Sequence, residues 1–185
     1  MDRRELYGGA MSMDVPKGMV DVSNFREVPD NQEVFADGTT DASVIIEILE
    51  RVDEQQHKAL RYHFQQVAEL NEAATHQTPQ IEDIRLSSVS EAYVLACQQS
   101  VAKFNETAAN QICLLMALLR IPEHTADVLI TMNVPVRINA QSSSFAAAAD
   151  NAQVGQTLPA SVTALLDQFK SMLHTFRINN YDLFA

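Results

Sequence analysis

The stretch QEVFADGTTDASVIIEILE, residues 32–50, decides the fold of this chain. Gln32 to Ala36 is a short strand-forming run, and Asp37-Gly38 behind it is a hairpin signal. Ser43 to Glu50 follows with β-branched Val44, Ile45, Ile46 and Ile48. Val44, Ile46 and Ile48 alternate on one face while Glu47 takes the other. Two strands joined by a tight Asp-Gly turn run antiparallel. An antiparallel sheet with an apolar face therefore begins here.

The rest of the chain extends that sheet and supplies its cover. Gly8-Gly9 mark a turn before an extended segment, Ala10 to Val15, which Pro16 and Gly18 end. Residues 19–31 read as irregular. Residues 54–72 read as a helix, with Leu60, Phe64 and Val67 spaced by four and three and no Gly or Pro. A polar stretch, 73–80, leads to three further strands, Ile81–Ser88, Ala92–Phe104 and Gln111–Ile121. The last is apolar on both faces, as in a central strand covered on both sides, although a buried helix fits that composition too. Ile121-Pro122 closes it, and Asp127–Val134 is a strand stopped by Pro135. Residues 137–157 are rich in Ala, Ser, Gln and Asn without apolar period and read as a loop. Beyond it Leu158, Val162, Leu165, Leu166, Phe169, Met172, Leu173 and Phe176 recur at helical spacing, with Pro159 suited to a first turn. The expected fold is α+β: a central, mostly antiparallel sheet of about six strands flanked by helices.

At 185 residues the chain is expected to be one domain, since domains commonly hold about 100–200 residues. Its composition, 46% hydrophobic and 20% charged, is that of a globular protein. The net charge is −11. Such a balance argues against binding nucleic acid or anionic membrane, both of which call for Lys and Arg. The excess is uneven: residues 1–60 hold 13 acids and 6 bases, which points to that third for a face that meets a basic partner. The N-terminus is charged at once, which predicts no secretory signal. The longest apolar run, Ile112 to Leu119, is far short of the roughly 20 residues of a membrane helix. In a reducing compartment Cys97 and Cys113 are expected to be free, buried thiols.

Catalytic signatures do not emerge. The five glycines build neither GxxxxGK[ST] nor GxGxxG. No HExxH, GxSxG or Cys/His metal spacing occurs. His63, in Arg61-Tyr62-His63-Phe64, is the most interesting of five scattered histidines and is expected to be a packed or helix-surface residue. No enzyme activity, cofactor or metal is expected.

One segment stands out. Residues 26–35, REVPDNQEVF, place Asp30, Asn31, Gln32 and Glu33 between two strand-forming stretches. Asp30 and Asn31 can bend the chain by bonding their own backbone. Glu33, opposite in phase to Gln32 and Val34, is not explained that way. The segment is either a solvated turn or a preorganised acceptor cluster for Lys or Arg of a partner, and residue chemistry leaves both open.

The stretches ELYGGAMS, VPKGMVDVSNFREVPDNQEVF, ASVIIEILE, RYHF, ALLRIPEHTADVLITMNVPV and NNYDLFA, taken in order, resemble the Ran guanine nucleotide release factor family, the Mog family of Ran-binding proteins. Val28–Phe35 is the most specific part, and 73–90 and 137–157 are the weakest. The resemblance implies a fold similar to that of the PsbP photosystem subunits and a small soluble protein of nucleus and cytoplasm, monomeric alone. It implies one partner, the small GTPase Ran of nuclear transport, bound in its GTP form and left stabilised without nucleotide. It also implies that Asp30 and Glu33 bind Ran, with Asn31 and Arg26 as neighbours. These acids would either engage cationic groups near the nucleotide pocket or dock a remote basic patch. The rival function is a passive acidic adaptor that holds Ran or another basic protein without changing nucleotide exchange; a third class is an enzyme with a hidden pocket between sheet and helix.

Overall fold

The computed structural model describes residues 1–70, 75–76, 78–102, 109–137 and 162–184. Its centre is an eight-stranded sheet in which every pairing is antiparallel. The strands are β3 (Val20–Asp21), β4 (Gln32–Ala36), β5 (Ser43–Glu50), β6 (Thr75–His76), β7 (Gln80–Asp83), β8 (Glu91–Ala102), β9 (Ala109–Ile121) and β10 (Ala126–Arg137). Their order is β3-β4-β5-β10-β9-β8-β6, with β7 also paired to β8. A second, three-stranded sheet joins β1 (Asp2–Leu6), β2 (Met11–Val15) and β11 (Arg177–Ile178). Among the described residues two α-helices accompany the sheets, α1 (His57–Leu70) and α2 (Val162–Leu173).

The large sheet is covered on both faces, which is why β9 is apolar on both sides from Ile112 to Leu119. Cys113, Leu115, Ala117 and Leu119 join the larger core with Leu6, Met11 and Met13 of the small sheet and Leu165, Phe169, Met172 and Leu173 of α2. Leu114, Met116 and Leu118 join a second core with Ala59, Leu60 and Phe64 of α1. Neither cysteine forms a disulfide, and both are buried. Burial, with Cys97 close by, pushes the Cys113 thiol up to about 11, so it stays protonated and unreactive at neutral pH.

The α+β class stands, and so do the bounds of β4 and β5. The large sheet has eight strands rather than about six, because two-residue strands at its edges carry no readable alternation. The tight Asp-Gly turn is instead a loop, 37–42. Asp37 Oδ1 accepts from the Thr39 N–H (2.8 Å) and Thr39 Oγ1 (2.7 Å), and the left-handed residue is Asp41 (φ 57°), not Gly38. Ile81–Ser88 shortens to Gln80–Asp83, after which Ser88 leaves the ladder to donate to the Phe176 carbonyl (2.7 Å). Pro135 does not stop β10. The pairing with β5 ends at Asn133, so Pro135, next to a register shift on the β9 side, occupies a half-paired position where a missing N–H is tolerated. Arg137, the first residue of the loop expected at 137–157, is instead the last of β10, paired with Gln111; the rest of that loop and the helix start at Leu158-Pro159 lie outside the described residues.

Candidate functional site

The acidic segment is a turn held from three sides. The Gln32 N–H donates to the Pro29 carbonyl (2.8 Å), closing a four-residue turn with Asp30 and Asn31 at its centre. Asn31 then extends the ladder beside β5: its carbonyl accepts from the Ile48 N–H (2.9 Å), and its Nδ2 donates to the Ile48 carbonyl (3.2 Å). Gln32 Nε2 donates to Glu47 Oε1 (2.7 Å) across the cross-strand pair Gln32↔Glu47.

Register decides where Glu33 goes. It pairs with Ile46, so both face the small sheet, while Gln32 and Glu47 face the other way. There Glu33 Oε1 accepts from the Tyr7 N–H (2.6 Å). The Tyr7 hydroxyl lies 2.9 Å from both the Asn31 and the Ile46 carbonyl oxygens, which share its single proton. Tyr7 sits in the left-handed region (φ 50°) at the head of the Tyr7-Gly8-Gly9 turn, a conformation that costs a non-glycine residue about 1 kcal/mol or more. Its hydrogen bonds to β4 and β5 hold it there. Burial, then the Glu33 and Glu47 carboxylates, pushes the phenol well above its ordinary value, so the hydroxyl remains a donor. Tyr7 is the site residue that sequence reading missed; the Gly-Gly turn flagged its position but not its reach to a turn 24 residues away.

The four expected residues therefore divide. Asp30 and Asn31 are exposed at the tip of the turn; Glu33 is half-buried and engaged by Tyr7. Arg26 is exposed four residues upstream, its N–H bonded to the Val22 carbonyl (3.1 Å). Among the described residues neither Asp30 nor Glu33 pairs with an arginine of the chain. Arg4 donates to the Met19 carbonyl (2.7 Å) and lies over the Phe35 ring, 5.7 Å from its centroid.

A second polar group lies under α1. Arg120 and Asp127 face each other across the β9–β10 pair. Arg120 Nε donates to Asp127 Oδ1 (3.0 Å), and its two terminal nitrogens donate to the Glu54 and Val52 carbonyls (both 2.6 Å). Asp127 Oδ2 accepts from the Val52 N–H (3.2 Å) and lies 3.4 Å from His63 Nε2. His63 is thus a packed residue. Burial pushes the Asp127 carboxyl up, but hydrogen bonds from His63 and Arg120, and the Arg120 charge, more than offset this and hold it below the usual carboxylate range. Every oxygen and nitrogen named here has a partner inside the protein, so the group ties the 52–54 segment to the sheet and offers nothing outward. Among the described residues no group of three or more His, Cys, Asp or Glu is placed to hold a metal ion.

Known proteins resemble this chain along most of its length. A family model described as "Ran-interacting Mog1 protein" matches residues 4–135, which include the whole acidic turn, Tyr7 and the buried polar group. A Ran guanine nucleotide release factor of Danio rerio is 39% identical, the match covering 98% of this chain and 99% of that protein. The nuclear import protein MOG1 of Saccharomyces cerevisiae is 31% identical over 98% of this chain and 84% of its own length. The crystal structure of the Saccharomyces cerevisiae Ran-binding protein Mog1p superposes with a TM-score of 0.72 at 28% identity, covering 99% of this chain and 97% of that one.

Proposed function

The chain belongs to the Mog1 family of Ran-interacting proteins, and from that premise we propose that it binds the small GTPase Ran and promotes release of its guanine nucleotide, stabilising the nucleotide-free form in nuclear protein transport. The observation that carries this reading is the family match over residues 4–135, with relatives named as release factors along almost the full chain. The protein then acts as a regulator of another protein's nucleotide state rather than as a catalyst of bond chemistry, as one Ran-binding domain over residues 1–185, in nucleus and cytoplasm.

A release factor works only through a difference in affinity. It must bind empty Ran better than loaded Ran, since equal binding to both shifts nothing. The acidic turn supports a role in docking. Asp30, open to solvent and mounted on a turn fixed by Tyr7 and Ile48, presents a preorganised anion to a basic patch, with Asn31 and Arg26 beside it. Glu33 contributes through its bond to the Tyr7 N–H, which fixes the turn's outline. An exposed charge of this kind serves orientation and association rate more than final affinity.

The test follows the nucleotide. Ran is loaded with a fluorescent guanine nucleotide, excess unlabelled nucleotide is added, and the signal is followed with and without this protein. Faster loss of signal, with a stable complex of the two proteins on a sizing column, is expected. Binding without faster loss identifies a passive adaptor; absence of binding removes the Ran reading.

A further inference from the structure

We propose that Phe25 is the apolar anchor of this chain's docking surface, seated in a notch on the basic face of its protein partner with Glu27 and Asp30 as its charged rim. The proposal rests on the Ran reading and deepens it by naming a contact that charge alone does not supply. Phe25 is 77% exposed, the barest aromatic side chain among the described residues. Other exposed rings have company: Tyr62 packs edge-on to His63, and Tyr181 stacks on His124. Among the described residues the Phe25 ring has no aromatic neighbour.

Its backbone is nevertheless fixed. Asp21 Oδ1 accepts from the Ser23 N–H (2.8 Å) and Ser23 Oγ (2.6 Å), and Asn24 Nδ2 donates to the Asp21 carbonyl (3.1 Å). The Phe25 N–H donates to the Val22 carbonyl (2.9 Å), and that of Arg26 to the same oxygen (3.1 Å). This short turn grows out of β3, the edge strand locked to β4 by Val20↔Ala36 and Asp21↔Phe35. Val20, on that same edge, is 47% exposed. A ring on a fixed backbone has only its two side-chain torsions to lose on association, and aromatic side chains in partner pockets carry much of the energy of such interfaces. The surrounding loop decides the kind of partner. Exposed Glu27 and Asp30 follow within five residues, in the most acidic third of a chain of net charge −11. An apolar plug followed in the chain by two exposed carboxylates, with the Arg26 cation between, fits a notch bordered mainly by Lys or Arg.

The full-length protein with Phe25→Ala, Phe25→Leu or Asp30→Lys is tested against nucleotide-free Ran by surface-immobilised binding kinetics, with a thermal melt of each variant. Phe25→Ala is expected to raise Kd at least about tenfold, mostly by faster dissociation, with an unchanged melt and an unchanged salt dependence of association. Phe25→Leu restores most of the loss, as apolar burial requires. If Phe25→Ala binds like the parent while Asp30→Lys associates more slowly, the anchor is overturned and the Ran reading stands. If the parent protein itself neither binds Ran nor speeds nucleotide release, both fall.

Discussion

Two groups of charged residues lie on this sheet and behave in opposite ways. Under α1, Arg120, Asp127 and His63 are almost fully enclosed, and protein atoms answer each charge: three donors meet the Asp127 carboxylate, and three oxygens take the Arg120 donors. On the edge formed by the 25–31 segment, Arg26, Glu27 and Asp30 stand in water with no ion pair among the described residues. The first arrangement spends its electrostatics inside the molecule and can only specify the fold. The second leaves its field outside, where a partner can use it. Glu33 lies between the two, half-buried and answered on one oxygen by a backbone donor. The difference gives an ordering: variants under α1 act on stability, variants at the tip act on association, and Glu33 acts on both.

The largest effect belongs to the enclosed group. Asp127→Ala leaves the Arg120 guanidinium buried without its counter-charge, and removing one partner of a buried ion pair costs about 3–5 kcal/mol. Urea unfolding at neutral pH measures it; a loss under about 1 kcal/mol would mean that water enters beneath α1 and the enclosed-versus-open contrast does not hold. The same residue sets an acid limb. Its folded pKa is lowered, so the unfolded chain binds protons more readily. The associated stability is complete above the ordinary Asp value of about 4 and is lost as pH falls through the lower folded value. Asp127→Asn is expected to unfold with a shallower pH dependence below about 4, checked by melts across that range.

Glu33→Ala comes next and tests the intermediate case. It removes a charge-assisted bond and leaves the Tyr7 N–H without its acceptor in a half-buried, left-handed turn. The expected cost is about 1–3 kcal/mol, seen in urea unfolding, together with faster amide exchange at Gln32, whose N–H closes the turn. Glu33→Gln, which can still accept from Tyr7, is expected to recover most of it. Equal behaviour of the two variants would place Glu33 with Asp30 as a purely outward charge.

The contrast was only half legible beforehand, for physical reasons. β5 could be bounded because Val44 and Ile46 are buried on one face, and a period of two follows from that; β4, whose buried Val34 and Phe35 are adjacent, was placed by the Asp37-Gly38 signal behind it. β1 could not: Asp-Arg-Arg-Glu-Leu buries only Leu6, so it lacks an apolar alternation. β3, β6 and β11 are two residues each, too short for any period. Pro135 misled because a proline reads as a stop, whereas strand position decides whether its missing N–H matters. Asp30, Asn31, Glu33 and Arg26 were reached through family resemblance, and the turn's composition alone left a solvated loop equally possible. Tyr7 was out of reach, since its bonds to Asn31 and Glu33 span 24 and 26 residues. The Arg120–Asp127 pair had a usable signal: the two flank the Pro122–His124 turn in facing register on adjacent strands, as an opposite-charge cross-strand pair does. His63, 64 residues from Asp127, had none.

The smallest effect on the fold, and the one that most sharpens the comparison, is expected at Asp30. No hydrogen bond of its side chain supports the turn among the described residues, so Asp30→Lys should leave the melt unchanged. Its consequence should appear in the rate of encounter with Ran. Reversing an exposed charge weakens steering, so association slows, by about tenfold at low ionic strength. The gap between variant and parent should close as salt rises, because exposed charges separated by more than a Debye length of about 8–10 Å are screened near physiological salt. Stopped-flow association at several salt concentrations reads both quantities. A salt-independent loss carried by dissociation would instead place Asp30 in a dry contact with a cation, as the nucleotide-pocket form of the mechanism requires. Asp30 would then meet in the complex the kind of enclosure that Asp127 has in the free protein.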